Sequence, residues 1–360
     1  MSKSFKLQTP RGEREIGGDA PTFVIAEVSA NHNQNLEKAI EIVHAAAGAG
    51  ADAVKFQTYT PDTLTIDCDK NGFVMEGDEN PWKGAKLYDL YKTAYTPWEW
   101  LPQLKEEAEK VGLFFFSTVY DITAVDYMEN MNVGMYKIAS YEVSHIPLLR
   151  RVAKTGKPVI MSIGFATEEE AKLGIDTLKE NGIKDLVILH CSTTYTHEPD
   201  FTTLNLKNIA DIKSKFDVIP GFSENIGGTR TAAMAVLAGA KVIEKHVMPE
   251  GKEKTPDSDF SVTPSELKVM IEGIREAEKV LGKIHYGPAN EKEAYNAKHL
   301  RQSLFVVEDM KKGEEFTEKN LRSIRPGIGV APKYLDEILG KKSTQDIERG
   351  TPMNLDLVEK

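Results

Sequence analysis

Cysteine is nearly absent from this sequence: Cys68 and Cys191 are the only two in 360 residues. That excludes a disulfide framework and a cysteine-ligated zinc site, and leaves two free thiols in a reducing cytoplasm. Basic charge is also short. Against 55 Asp and Glu there are 45 Lys and Arg, a net charge of −10. Such a balance argues against a nucleic-acid partner, whose phosphates need a basic surface. No apolar run approaches the roughly twenty residues of a membrane helix, so no membrane partner is expected. Met1 to Gln8 lacks the apolar core of a signal peptide, which points to a cytoplasmic protein. A glycine-rich turn after the first β-rich run is missing as well. The chain reads Ala26-Glu-Val-Ser-Ala-Asn there, whereas an open dinucleotide-binding sheet usually announces itself at that point.

What is present is an alternation. Short β-rich runs begin at Phe23, Ala53, Leu113, Met135, Val159, Leu186, Val218 and Val242, with amphipathic stretches between them such as 36–49, 98–110, 167–181 and 229–238. Nearly continuous apolar strands alternating with helices imply a parallel sheet covered on both faces. Eight such units in about 250 residues predict an α/β fold, a closed (β/α)8 barrel. Phe5 to Ile16 alternates around Pro10-Arg-Gly, which predicts a hairpin plugging the barrel floor. A final helix is expected over about 264–281, with Pro264 in its first turn. The domain reading is therefore a barrel over 1–282, a polar linker over 283–300 and a small β-rich module over 301–360.

In a barrel enzyme the chemistry sits at the C-terminal ends of the strands. Here those ends carry Glu27, Lys55 with Gln57, Thr118, Lys137 with Ser140 and Glu142, Ser162, His190, Ser223 with Glu224, and Glu244 with His246. Two lysines can neutralise a phosphate, with the hydroxyls as neutral donors. The carboxylates can move protons or hold sugar hydroxyls, and His246 can ligate a divalent metal. Together they suit condensation of a phosphorylated substrate with a carbonyl compound. Each residue also has a plainer reading. A Lys or Glu at a strand end can simply pair within the rim, His190 reads as a core histidine, and His32 as a cap for the helix near Leu36. The aromatic excursion with Tyr88, Tyr91, Tyr95, Trp98 and Trp100 either lines a sugar pocket or packs onto the barrel.

Several ordered blocks then resemble the sialic acid synthase family over nearly the whole chain. They are Ile25-Ala-Glu-Val-Ser-Ala-Asn-His-Asn, Gly50-Ala-Asp-Ala-Val-Lys-Phe-Gln-Thr, Phe116-Ser-Thr, Lys137-Ile-Ala-Ser-Tyr-Glu, Gly221-Phe-Ser, and Ile243-Glu-Lys-His followed by Pro256-Asp-Ser. The C-terminal module, with Ile324-Arg-Pro-Gly, resembles the family's antifreeze-like SAF domain. Trp82-Lys-Gly, Leu87-Tyr-Asp-Leu-Tyr and Thr96-Pro-Trp-Glu-Trp are similar to the pseudaminate-forming branch, whose acceptor is a 2,4-diacetamido-trideoxy hexose and whose product feeds flagellin glycosylation or surface polysaccharide. The resemblance implies phosphoenolpyruvate and an amino-sugar aldehyde as substrates, with Glu27, Lys55, Lys137 and Glu142 as catalytic residues. It implies phosphoenolpyruvate on Lys55, Lys137, Thr118, Ser140, Ser162 and Ser223. Glu142 would lie by the sugar's C1 and Glu27 and Glu244 by its hydroxyls, with Gln57, Tyr195 and Asp257 also binding substrate. It further implies a homodimer whose lids are exchanged, Arg325 reaching the substrate's acyl-amino group.

Two departures from the family pattern stand out. Its usual Ser-Asp-His after the seventh strand reads Ser223-Glu224-Asn225, so the metal site is expected to combine His246 with Asn225 or Glu224. Exchanging a nitrogen donor for oxygen favours Mg2+ or Mn2+. Tyr195 is followed by Thr196 where the family commonly has proline. Three rivals are an N-acetylneuraminate or legionaminate synthase, a non-catalytic sugar-binding paralogue, and a Schiff-base aldolase on Lys137 or Lys55, which leaves His246 without a role.

Overall fold

The computed structural model of this chain describes residues 3–70, 72–76, 83–197, 200–251 and 254–360; Trp82 therefore lies outside the described residues. An antiparallel hairpin comes first, β1 (Ser4–Thr9) and β2 (Gly12–Gly17). Eight strands follow: β3 (Phe23–Glu27), β4 (Ala53–Thr58), β5 (Phe114–Val119), β6 (Tyr136–Ile138), β7 (Val159–Ser162), β8 (Leu186–Thr196), β9 (Ile219–Ile226) and β10 (Val242–His246). Each pairs in parallel with its neighbours in sequence, and β10 closes on β3, giving the closed barrel that the alternation predicts. Helices lie between the strands. Their starts follow local capping chemistry: Thr167 and Thr263 each form a capping box, with Glu170 and Glu266, and Pro264 opens the helix Pro264–Leu281.

The period of two along a strand divides the core. Residues such as Val24, Val54, Phe115, Tyr136, Met161, Ile188, Phe222 and Ile243 point outward and pack against the helices in one large cluster. Their neighbours Phe23, Ile25, Ala53, Phe114, Phe116, Ile160, Leu189 and Val242 point inward and form a second. Phe5, Leu7 and Ile16 of the hairpin join that inner cluster, so the hairpin packs under the barrel as its alternation predicts. Further along the strands the inward positions turn polar, and the cavity begins.

Contacts divide the chain into two compact units, 1–282 and 283–360. The segment read as a linker, 283–300, contains a ten-residue helix, Glu291–Leu300, none of whose residues is buried. Without an apolar stripe it lacks the helical pattern, but Asn290 caps it, acids fill its first turn, and Lys298 and His299 its last. The second unit pairs β11 (Ser303–Val306) with β12 (Leu321–Ile324) and holds its own small core, including Leu304, Val306, Phe316, Leu321 and Ile338. Among the described residues no helix is long and apolar enough to cross a membrane.

Candidate active site

The inward polar positions enclose a cavity of about 430 Å³ at the C-terminal ends of the strands. Fourteen of the sixteen residues singled out from the sequence line it: Glu27, Lys55, Gln57, Thr118, Lys137, Ser140, Glu142, Ser162, Tyr195, Ser223, Asn225, Glu244, His246 and Asp257. Arg325 belongs to the second unit, where it is exposed after β12. Glu224 is the remaining one, and it lies outside the lining, paired with Lys245.

Lys55 and Lys137 are both buried, as are the carboxylates around them. Lys55 Nζ pairs with Glu27, takes Thr118 Oγ1 as a hydrogen-bond acceptor at 2.9 Å, and lies 3.8 Å from Glu244. Lys137 Nζ lies 3.7 Å from Glu244 and donates to the Ile138 carbonyl at 3.1 Å. Ser223 donates to Glu244 at 3.0 Å. Burial pushes the Glu244 carboxyl up, but Lys137 and Lys55 outweigh it and hold the group below the usual range. Glu27 goes the other way, since its burial outweighs Lys55. Burial lowers the Lys137 ammonium, with Glu244 opposing. Lys137 thus shares Glu244 with Lys55, and Ser162, lining the same cavity, has a hydroxyl with no hydrogen-bond partner among the described residues. An anion entering there would meet charge and donors already oriented.

A second polar chain runs from Glu27 toward the rim. Gln57 Nε2 donates to Glu27 at 2.9 Å and to Ser29 Oγ at 2.8 Å, and Ser29 donates to Asp257 at 2.5 Å. Glu142 stands apart. Burial pushes its carboxyl up to about 8 against the pull of Lys137, and its Oε2 has no partner. It is therefore a neutral acid at neutral pH.

Among the described residues no group of three or more His, Cys, Asp or Glu is placed to hold an ion. Glu224 is corrected outright. Strand alternation turns it and Lys245 to the outside of the barrel, where both are fully buried as an ion pair at 3.6 Å and the lysine also donates to the Ile226 carbonyl. Asn225 and His246, one residue further on each strand, turn inward. Asn225 donates its amide to Cys191 Sγ at 3.3 Å, which leaves Oδ1 buried and without a partner. His246 Nδ1 is likewise without one, and burial with Lys55, Lys245 and Lys137 nearby keeps the ring neutral. These two atoms fit as the protein's share of an open site for a hard divalent ion, with substrate and water supplying the rest.

Lys245→Met tests the outward pair. It strands the Glu224 carboxylate, which burial already pushes up to about 7. A loss of about 3 kcal/mol in denaturant unfolding is expected, largely restored by adding Glu224→Leu. A single variant as stable as the parent would contradict the pairing.

The plainer readings divide too. His190 is a satisfied core histidine, its Nε2 at 2.7 Å from the Leu204 carbonyl. His32 does not cap the helix Leu36–Ala49. Asn35 does, accepting from Lys38 N, while His32 is buried against Thr96 at 3.0 Å and burial lowers it to about 4. Of the aromatic excursion, Trp98 and Trp100 pack on the outer core, whereas Tyr91 lines the cavity. Sequence reasoning missed Ser29, Tyr120, Cys191 and Phe260 in the lining. Only Ser29, inside the block Ile25–Asn33, carried a signal.

The NeuB family model matches residues 42–286, and the SAF domain model matches residues 301–359. A pseudaminic acid synthase from Campylobacter jejuni subsp. jejuni serotype O:2 is 42% identical over 332 residues, covering 92% of this chain and 95% of that protein. An N,N'-diacetyllegionaminic acid synthase from Legionella pneumophila subsp. pneumophila is 32% identical, covering 97% of this chain and 98% of its own. Among solved structures, the N-acetylneuraminic acid (sialic acid) synthetase of Leptospira borgpetersenii serovar Hardjo-bovis, in complex with citrate, aligns with a TM-score of 0.71 at 29% identity. It covers 83% of this chain, which spans 97% of it.

Proposed function

This chain belongs to the NeuB family, and from that membership we propose that it is a pseudaminic acid synthase, condensing phosphoenolpyruvate with 2,4-diacetamido-2,4,6-trideoxy-L-altrose to give pseudaminic acid and phosphate. The observation that carries the chemistry is the buried convergence of Lys55 and Lys137 with the Thr118, Ser140, Ser162 and Ser223 hydroxyls, facing the neutral acid Glu142 across one cavity. The higher identity to a pseudaminic than to a legionaminic acid synthase supports the branch.

The two lysines and the hydroxyls hold the phosphate and carboxylate of phosphoenolpyruvate in a fixed orientation. Its C3 bonds to C1 of the open-chain aldehyde, and Glu142 gives a proton to the aldehyde oxygen as charge develops there. Water adds at C2, and phosphate leaves with C–O cleavage, taking the bridging oxygen. Gln57, Ser29 and Asp257 lie in one hydrogen-bonded chain suited to the sugar's hydroxyls. Mn2+ or Mg2+ held by Asn225 and His246 would act as a Lewis acid toward the aldehyde. A cytoplasmic homodimer with exchanged lids belongs to the same reading, with Arg325 serving the acyl-amino group; a fully active monomer in sedimentation would remove that part.

The test is phosphate release from phosphoenolpyruvate with Mn2+ or Mg2+, against the altrose, its legionaminate counterpart and N-acetylmannosamine. Release with the altrose and not the others is expected, abolished by a chelator and restored by either ion. Preference for another acceptor would correct the branch, and silence with all three would overturn the synthase reading.

A further inference from the structure

The cavity has two chemically unlike walls. One is made of strand ends and is polar. The other comes from the excursion between β4 and β5 and is apolar, with Leu64, Met75, Leu87, Leu90, Tyr91 and Ala94 lining the space. Four of these fall at i, i+3, i+4 and i+7 of the helix Leu87–Ala94, so they form a single stripe. Such a stripe ordinarily seats a helix on a core. This one does not. No residue of the helix is buried, and none of the four joins a hydrophobic cluster among the described residues.

Other residues hold the excursion in place. Trp98 and Trp100 pack on the outer core, and Trp98 Nε1 donates to the Tyr59 carbonyl at 3.0 Å. The helix itself is tied by Leu87 N to the Phe73 carbonyl at 2.8 Å and by the Tyr88 hydroxyl to Asp62 at 3.2 Å. Within the stripe Tyr91 packs its ring edge-on against Tyr59, centroids 5.7 Å apart, which leaves Leu87, Leu90 and Ala94 with the cavity as their neighbour.

We propose that Leu87, Leu90 and Ala94, with Met75, select the acceptor by its methyl groups: the C6 methyl of a deoxy sugar and the methyls of its acetamido groups. The inference rests on the synthase reading and specifies how that site chooses its sugar. A hydroxyl set against the leucines gives up water and gains no hydrogen bond, whereas a methyl group is buried at no such cost. Apolar pockets reject an added hydroxyl only by about 100-fold. The selection is thus partial, between about 10- and 100-fold.

The experiment compares kcat/KM for two acceptors that differ only at C6, CH3 against CH2OH, in the parent, Leu87→Asn, Leu90→Asn and Leu90→Met. The parent is expected to favour the 6-deoxy sugar by about 10- to 100-fold. Either Asn variant should cut that ratio by about tenfold, and Leu90→Met should keep it, since volume and apolarity are conserved. Should the Asn variants fail to fold by circular dichroism, Ala94→Ser places a hydroxyl on the same stripe and should lower the ratio in the same direction. A parent without preference overturns the inference. So does a stripe variant that lowers both acceptors equally, because the stripe would then shape the helix and not the choice. Absence of phosphate release with either acceptor sinks the synthase reading itself, and this inference with it; an unchanged ratio in an active enzyme sinks this inference alone.

Discussion

Lys137→Met is expected to lower phosphate release from phosphoenolpyruvate by about 10³-fold while leaving a folded barrel. Removing one donor preoriented toward developing charge costs on the order of 10²–10³ in rate, and this donor is a buried lysine ammonium. Of the two lysines it is the more informative to remove. Lys55 is engaged by Glu27 and Thr118, so its loss would strand a buried carboxylate and confuse stability with binding. Lys137 has no carboxylate nearer than Glu244 at 3.7 Å, and Glu244 keeps Lys55 and Ser223 as partners. A second readout separates binding from folding. Phosphoenolpyruvate at about 100 times its Kd should stabilise the parent by about 2.7 kcal/mol, and this gain should vanish in the variant. Lys137→Arg should not restore it, because a planar fork does not replace a compact ammonium at a buried position. Phosphate release within tenfold of the parent, with ligand stabilisation intact, would falsify a phosphate role for this lysine.

Glu142→Gln should lower kcat by about 10³-fold and remove the alkaline limb of the pH profile. With its carboxyl pushed up to about 8, Glu142 keeps its proton at neutral pH and can donate it as the C–C bond forms. As pH rises through about 8 the donor is lost, so parent activity declines there. Glutamine has no proton to give at any pH, and what activity remains should be level across that range. Stability carries the opposite signature. An unfolded glutamate ionises near 4.5, so between about 4.5 and 8 the folded chain retains a proton that the unfolded chain has released. Unfolding free energy of the parent therefore decreases with pH across that window and levels off above it. The variant lacks this slope, so its stability relative to the parent should improve from pH 4.5 to 8. An alkaline limb that persists in Glu142→Gln would assign that titration to another group.

Much of this site was legible before any coordinates. Strand ends in a barrel are where inward side chains meet, so Glu27, Lys55, Lys137, Glu244 and His246 could be grouped from position along the chain alone. The errors arose one residue to either side. Glu224 and Asn225 are adjacent letters, and choosing between them needs the phase of the strand's pleat. That phase is fixed by which residues of β9 face the helices, and Phe222 and Glu224 do. His32 and Asn35 are both plausible caps in sequence; the structure gives the role to Asn35 because His32 is drawn inward against Thr96 and Trp100.

The sequence by itself determined the elements, their alternation, the closed barrel and the family, because each depends on local periodicity or on ordered blocks of residues. Tertiary structure alone decided four other things. It chose which face each rim residue takes, that Glu27 pairs with Lys55 while Lys137 reaches Glu244, and that burial raises Glu142 and lowers His246. It also turned the stripe of Leu87, Leu90, Tyr91 and Ala94 to the cavity. The physical reason is the same throughout. Desolvation and pairing depend on what surrounds a side chain in three dimensions, and residues such as Lys55, Lys137 and Glu244, far apart in the chain, become neighbours only when the barrel closes.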